Sequence, residues 1–339
     1  MVCAGSSATA QPLVIRLPAQ RYKGQDLIAA CGRNSGRVMI IDVKDHITIC
    51  ICTYKRTEML GQLLGLLANQ DTLGLFTYSI LVIDNDSEMS GATAVGHFQK
   101  QGGVQVDYRM EAAKGIPMAR NRAITESDGN LLAFIDDDEL PNGDWLLTLF
   151  KAMRKYNVAG VLGPVRARFV APPPRWILKC KLFERPSFRT GTVLNWPDTR
   201  TGNVLLQQYV FKEKDDLFNP KIGHGEDKDF FRRMMGKGHA FVWCDEAAVY
   251  EIEPPERLKR SYFLKRALIR GSYYVARATC RPGQILKSLF ALAAYIAALP
   301  VLSLFGQHLL MKSLIGICDH AGCLIGACGL KPEKYFKHT

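Results

Sequence analysis

Leu131-Leu132-Ala133-Phe134-Ile135-Asp136-Asp137-Asp138 is an apolar run that ends abruptly in three consecutive carboxylates. Five apolar residues in a row are long enough for a buried strand. Three adjacent like charges at its end repel one another, and a divalent cation is the simplest relief. Hard cations such as Mn2+ and Mg2+ take oxygen ligands, often one or two carboxylates completed by the phosphates of a substrate. Taken alone, an acidic triplet is equally a solvated turn or a helix cap. Its neighbours decide between these readings.

Working outward, strands and helices alternate. Residues 47–52 and 79–83 are short apolar runs of the buried parallel type, and a third strand is expected near 104–109. Leu60, Leu63, Leu64 and Leu67 fall on one face of a helix over 57–69. Further helices are predicted at 91–100, at 115–124 with Pro117 in its first turn, and at 145–156. This order predicts an α/β fold with a doubly wound, mostly parallel sheet, whose ligands bind beyond the carboxyl ends of the strands. Residues 163–200, with Pro172-Pro173-Pro174, Trp176 and Trp196, read as a long irregular segment that either shapes a substrate pocket or is a plain surface excursion. Regularity resumes at 203–208, in a helix over 226–236, and in a strand at 240–244.

A chain of 339 residues with 47% hydrophobic and 22% charged residues is globular rather than disordered. Its net charge of +12 suits a polyanionic partner such as a nucleotide or an acidic lipid surface. The ten cysteines show no zinc spacing and read as reduced core or lipid-facing thiols. Residues 1–45 form an N-terminal extension: 1–38 are patternless, order begins near Met39, and the extension is either dispensable or a small packed element. The opening ten residues lack a basic stretch followed by an apolar core, so the catalytic part is expected in the cytosol.

The last third, residues 256–339, changes character. From Arg257 to Lys287 the charged residues are all positive and are interleaved with Tyr262, Phe263, Leu264, Leu268, Ile269, Tyr273 and Tyr274. A basic amphipathic helix with aromatics fits an anionic membrane interface. Residues 288–311 carry no Asp, Glu, Lys or Arg and would be about 36 Å long as a helix, against a hydrocarbon core of roughly 30 Å. A second apolar stretch, 313–330, is interrupted by Asp319-His320 and followed by Lys331, Lys334 and Lys337. A hairpin returning to the cytosol follows from the positive-inside tendency, and a re-entrant pair of interfacial helices is the alternative. Lipid rather than nucleic acid is the expected partner, placing the protein on the cytoplasmic side of the inner membrane.

Five clusters carry the chemistry. Cys52-Thr53-Tyr54-Lys55-Arg56 forms the turn after the first strand, where backbone and side chains can meet a nucleotide. Asp84 and Asp86 end the second strand, where a carboxylate can accept from a uracil N–H. Lys114 to Asn121 places Arg120 and a helix N-terminus where phosphates can be neutralised. The triplet Asp136, Asp137 and Asp138 is the fourth. The fifth, Gly223-His224-Gly225-Glu226-Asp227-Lys228-Asp229-Phe230, sets acids at a helix start, as a general base or as caps.

In this combination the chain resembles the family 2 glycosyltransferases of GT-A fold, over about residues 46–255. The motifs that carry the likeness are Thr53-Tyr54-Lys55-Arg56, Val82 to Ser87, Gly115 to Asn121, Asp136-Asp137-Asp138 and Gly225 to Phe230. Within the family, Glu226-Asp227-x-Asp229-Phe230 followed by Val249-Tyr250-Glu251 and Pro254-Pro255-Glu256-Arg257 is most similar to bacterial succinoglycan-type exopolysaccharide glucosyltransferases. Where many relatives carry a His near 249–251, this chain has none. The resemblance implies that Thr53, Tyr54, Arg56, Asp84 and Asp86 bind the nucleoside and that Arg120 lies near the diphosphate. It further implies that Asp136 faces the sugar or ribose, that Asp137 belongs to the nucleotide-sugar site, that Asp138 binds Mn2+ or Mg2+, and that Asp227 is the base. Glu226, Asp229 and Asn203 are secondary candidates. The implied reaction moves a hexose, glucose, from a UDP-sugar to a lipid-linked oligosaccharide with inversion. The competing classes are a non-catalytic membrane-attached nucleotide-binding scaffold and a nucleotidyltransferase. The latter needs an early Gly-rich triphosphate loop, which Cys52 to Arg56 is not.

Overall fold

In a computed structural model of the protein, the structure describes residues 44–222, 225–277 and 282–330. The expectations for residues 1–43, for Gly223 and His224, and for the basic tail from Lys331 onward lie outside the described residues.

The chain alternates as expected through β1 (Asp45–Thr53), α1 (Thr57–Leu67), β2 (Phe76–Asp84), α2 (Ala92–Gln101), β3 (Val106–Met110), α3 (Ile116–Glu126) and β4 (Leu131–Asp136). It continues with β5 (Glu139–Pro141), α4 (Trp145–Tyr156), β6 (Gly160–Leu162), β7 (Val165–Phe169), α5 (Arg175–Cys180) and β8 (Val204–Gln207). The last elements are α6 (Glu226–Gly236), β9 (Phe241–Trp243), β10 (Val249–Glu253), α7 (Arg260–Arg277), α8 (Pro282–Leu304) and α9 (Gln307–Ala327).

Seven strands form the main sheet in the order β3-β2-β1-β4-β8-β6-β9. All its pairings are parallel except those of β8, which runs antiparallel to both β4 and β6. Side chains alternate across it. Ile49 and Ile51 of β1, Ile80 and Val82 of β2, and Ala133 and Ile135 of β4 enter one core with Leu60, Leu63, Leu64 and Trp145. Cys50, Leu81, Ile83, Leu132 and Phe134 enter the opposite core with Phe230, Phe231 and Trp243. Each of the Leu, Ile, Val and Phe side chains among them contributes about 1.5–3 kcal/mol through burial. Because both faces are covered, the polar ends of the central strands are the part left to meet a ligand.

The segment 163–200 departs from its irregular reading. It contains β7 and α5, and β7 joins β10 and β5 in a second, three-stranded sheet in the order β5-β10-β7. Val165-Arg166-Ala167-Arg168-Phe169 does alternate, but its partner β10 lies more than 80 residues further along the chain, so the pairing has no local signature. This sheet places Glu139 and Glu251 on directly paired positions beside the end of β4. Trp176, Ile177 and Cys180 of α5 pack with Phe263 of α7 and Met311 of α9, so the C-terminal helices are joined to the sheet through a third apolar cluster.

Candidate active site

The carboxyl ends of β1 and β4 open into a cavity of about 970 Å3. Thr53, Tyr54 and Arg56 line it from the β1 turn, Arg120 from α3, and Asp136 to Glu139 from the end of β4. Arg185, residues 198–202, Asp227 and Glu251 complete the wall. Four of the five clusters read from the sequence therefore contribute titratable side chains to one cavity, and the β2 cluster contributes Asn85.

Carboxylates crowd the floor. The Thr53 hydroxyl donates to Asp137 Oδ2 at 2.8 Å, and Arg56 Nη1 donates to Asp137 Oδ1 at 2.8 Å and Asp138 Oδ2 at 2.9 Å. Burial raises the pKa of Asp137 despite Arg56 and Thr53, and it raises Asp138 with help from Glu251 and Asp136. The Asp136 side chain is 44% exposed to the cleft. Even so, its recessed position, with Asp137 and Glu251 adding, raises its pKa against the pull of Arg120. Glu139 is buried beneath them, accepts the Asp136 N–H at 3.1 Å, and is pushed well above the usual carboxylate range by burial and by Asp136. Gly202 makes this crowding possible, since a Cβ there would stand 2.6 Å from Glu139 Oε1 and 3.0 Å from Asp136 Oδ2.

This donor set fits a hard divalent cation, because it offers carboxylate oxygens whose mutual repulsion a cation relieves. Among the described residues no group of three or more His, Cys, Asp or Glu forms a ready-made cage. Mg2+-type sites commonly have one or two carboxylates and leave the remaining positions to water and substrate phosphate. Asp138 with Asp136 supplies that number. Burial pushes the neighbouring Cys52 thiol up to about 12, so at neutral pH it is neither a thiolate ligand nor a nucleophile.

Arg120 is buried and joins two elements. Its Nη1 lies 2.8 Å from Glu226 Oε1 and its Nη2 3.7 Å from Asp136 Oδ1, with Phe218 under the guanidinium at 5.5 Å. Burial alone would lower its pKa, but Asp136, Glu226 and Asp227 outweigh it and the pKa rises. On the opposite wall Glu251 binds Arg185, and Arg257 Nη1 at 2.7 Å; burial would raise it, yet these two cations hold it below the usual range. Arg200 faces the same space, and burial together with Arg185 lowers its pKa.

The acids at the start of α6 separate clearly. Glu226 is buried against Arg120. Asp229 pairs with Arg232 at 2.9 Å and Arg233 at 2.8 Å and does not line the cavity. Asp227 lines the cavity, makes no ion pair among the described residues, and accepts only the Lys228 N–H at 2.7 Å.

Three further sequence candidates stand behind the cavity wall. Asp84 is fully buried, and its oxygens accept from the Asp86 N–H at 3.0 Å, the Gly91 N–H at 2.7 Å and the Tyr108 hydroxyl at 2.7 Å, which shapes the β2 turn. Asp86 is buried with Oδ2 unpartnered, an acceptor in reserve beside that turn. Asn203 is corrected as a ligand candidate. It is buried, accepts the Trp145 indole N–H at 2.8 Å and donates to the carbonyls of Pro164 at 2.9 Å and Ala247 at 2.7 Å, so its amide is consumed in tying β8 to its neighbours. The sequence reading missed Glu139, Arg185, Arg200 and Thr201. Glu139 was signalled as a fourth acid in the run, whereas the others sit in segments without local periodicity. Thr201 is buried in the cavity wall with its hydroxyl unpartnered.

A model of the family described as Glycosyl transferase family 2 matches residues 48–232, which hold all five clusters. The succinoglycan biosynthesis protein ExoM of Rhizobium meliloti (strain 1021) is 30% identical over 314 residues, covering 86% of this chain and 96% of that protein. Chondroitin synthase of Escherichia coli is 22% identical over 245 residues, and the match takes in only 35% of its length. Among solved structures, the mannosyltransferase PcManGT from Pyrobaculum calidifontis, in complex with GDP-Man and Mn2+, superposes with a TM-score of 0.51 at 15% identity, covering 87% of this chain and 79% of that one. The fold is thus GT-A-like, with its mostly parallel sheet opening on the acidic cleft. Since the family's pattern covers more than half of the sequence and a 30% identical relative aligns across nearly its whole length, the chain belongs to glycosyl transferase family 2.

Proposed function

We propose that this protein transfers a hexose, glucose, from a UDP-sugar to a lipid-linked oligosaccharide with inversion at the anomeric carbon, in exopolysaccharide synthesis on the cytoplasmic face of a membrane. The observation that carries the reading is Asp227. It is the acid of α6 that lines the cavity without an ion pair among the described residues, in the same cavity as Asp136 to Asp138. The biosynthetic role follows the likeness to the succinoglycan protein.

In this reading the turn from Thr53 to Arg56, with Asp84 and Asp86 behind it, receives the nucleoside, and Arg120 lies toward the diphosphate. Asp136 faces the sugar or ribose, and Asp137 holds Thr53 and Arg56 in place in the nucleotide-sugar site. Asp138 would hold Mn2+ or Mg2+, which when bound would supply positive charge against the leaving nucleoside diphosphate. Asp227 accepts the proton of the acceptor hydroxyl. The hydroxyl oxygen forms the new bond to the anomeric carbon as the bond to the β-phosphate oxygen breaks, and that oxygen keeps the electron pair. Arg200 and Arg185 on the far wall sit where an anionic acceptor or departing phosphate gains a cationic neighbour.

The test is UDP release from UDP-glucose with Mn2+, with and without a lipid extract, and the anomeric configuration of the product read by NMR. Extract-dependent release with an inverted product is expected. UDP binding without any turnover would make the chain a scaffold, and a retained anomeric configuration would remove Asp227 as base.

A further inference from the structure

We propose that α7, α8 and α9 lie together within one leaflet of an anionic membrane, with α8 among the acyl chains, and that none of them crosses it. The inference rests on the membrane reading above and adds its geometry.

Among the described residues, two segments could cross a bilayer by length and composition: Ile285–Leu304, with mean hydropathy 2.0, and Gln307–Ala327, with mean hydropathy 1.4. The packing argues otherwise. A Cβ at Gly322 would stand 2.1 Å from the Leu268 carbonyl oxygen, one at Gly271 2.0 Å from that of Asp319, and one at Gly326 2.5 Å from that of Ser272. The backbones of α7 and α9 therefore touch, the close approach that small residues allow between helices in lipid. Arg260 Nη2 donates to Gln307 Oε1 at 3.0 Å near one end, and Arg270 Nε donates to Asp319 Oδ1 at 2.9 Å further on. Contacts thus advance in the same direction along both helices. They run parallel over most of α7, which is about 27 Å long.

Two consequences follow. First, α9 cannot cross a bilayer without taking α7 with it, and α7 carries Arg260, Lys265, Arg266 and Arg270. Arg266 and Arg270 are exposed, and among these only Arg270 is bonded to an acid of α9. Exposed cations at mid-bilayer depth are strongly unfavourable. Second, α9 lies between α7 and α8: its Gly316 meets the ring of Tyr295, and His320 lies 3.3 Å from Ser288 Oγ. The outer helix α8 exposes Leu286, Leu289, Phe290, Ile296, Val301 and Leu304, the last by 84%. The three helices form a slab that is cationic on the α7 side and apolar on the α8 side. A single leaflet with anionic headgroups complements both. The slab is held to the catalytic sheet by the cluster around Trp176 and Phe263, and by the Cys180 thiol donating to the His308 carbonyl at 3.2 Å. The cleft is thereby kept on the side of the bilayer from which the slab enters.

The experiment uses the full chain in sealed vesicles, with a protease site at the exposed Gly102-Gly103 turn, a cleavable tag after Thr339, and Gln307→Cys probed with an impermeant maleimide and peptide mass mapping. The geometry predicts that all three probes react from the same side without detergent. Protection of the C-terminal tag alone would mean three crossings, and protection of the Gln307→Cys thiol alone would mean a crossing hairpin. Either result overturns the proposal while leaving glycosyl transfer untouched. Separately, the purified protein should float with phosphatidylglycerol-containing vesicles, and Arg266→Gln should weaken that binding roughly fivefold. Failure to float, together with a dimer dispersed by Phe290→Lys, would make α8 a contact between copies of the chain and remove the membrane reading itself.

Discussion

Arg120 Nη1 stands 2.8 Å from Glu226 Oε1, an ion pair between two buried side chains that joins α3 to the first residue of α6. The pair fixes where α6 begins, and so where Asp227 faces the cavity. Removing one partner strands the other charge, which typically costs about 3–5 kcal/mol. Glu226→Ala should lose stability of that order in chemical denaturation. Arg120→Met combined with Glu226→Leu should recover most of it and still bind UDP poorly, because the cation near the diphosphate is gone. Full recovery of UDP affinity in the double variant would assign Arg120 to structure alone.

Asp138→Ala should abolish cation-dependent donor binding, since a divalent ion loses a charged oxygen ligand. Calorimetry of UDP binding with and without Mn2+ reads this directly. Unchanged affinity in Mn2+, with the fold preserved, would move the cation elsewhere.

Asn203→Ala should act on the fold and leave the reaction alone. It removes three hydrogen bonds, to Trp145, Pro164 and Ala247, and leaves buried partners unsatisfied. At about 1–3 kcal/mol per stranded group the loss is about 3 kcal/mol or more. The KM for the donor should hold in whatever fraction remains folded, and a specific rise in KM would restore Asn203 to the binding site.

Ending the chain after Lys287 should not yield a well-behaved soluble enzyme. The cut takes Met311, Leu314 and Ile315 from the cluster that covers Trp176, Ile177 and Phe263. The truncated protein should aggregate or melt well below the full chain in a thermal scan. A soluble variant of undiminished Tm would mean that the slab contributes nothing to the catalytic body.

The sequence made the central sheet legible because its signals are local. The alternation in β1, β2 and β4 sorts residues to the two cores without any knowledge of partners, and the acidic run marks the end of β4 in the primary structure. The rule that parallel strands bind ligands at their carboxyl ends anticipated Thr53, Arg56 and Asp136 at one cavity, whereas the places of Arg120 and Asp227 came from the resemblance. What was hidden depended on distant pairing. β7 alternates, but its partner shows only once β10 lies beside it, and Arg185 and Arg200 gain meaning only once that sheet brings Glu251 beside the cleft. Asn203 misled because a polar residue before a strand looks the same whether it meets a ligand or three backbone and side-chain partners. The C-terminal apolar runs allowed a crossing hairpin or a re-entrant pair, and the glycine contacts with the Arg270–Asp319 pair bind a charged helix to an apolar one.

The most direct test of the account is the rate of sugar transfer by Asp227→Asn. Asn keeps the shape of the side chain and its oxygen can still accept the Lys228 N–H, so the melting temperature should barely change. It cannot take the acceptor proton, and loss of a general base typically costs on the order of 100- to 10,000-fold in rate. Donor affinity, measured by calorimetry with UDP and Mn2+, should survive. Transfer at near the parent rate by a folded Asp227→Asn protein would contradict the account.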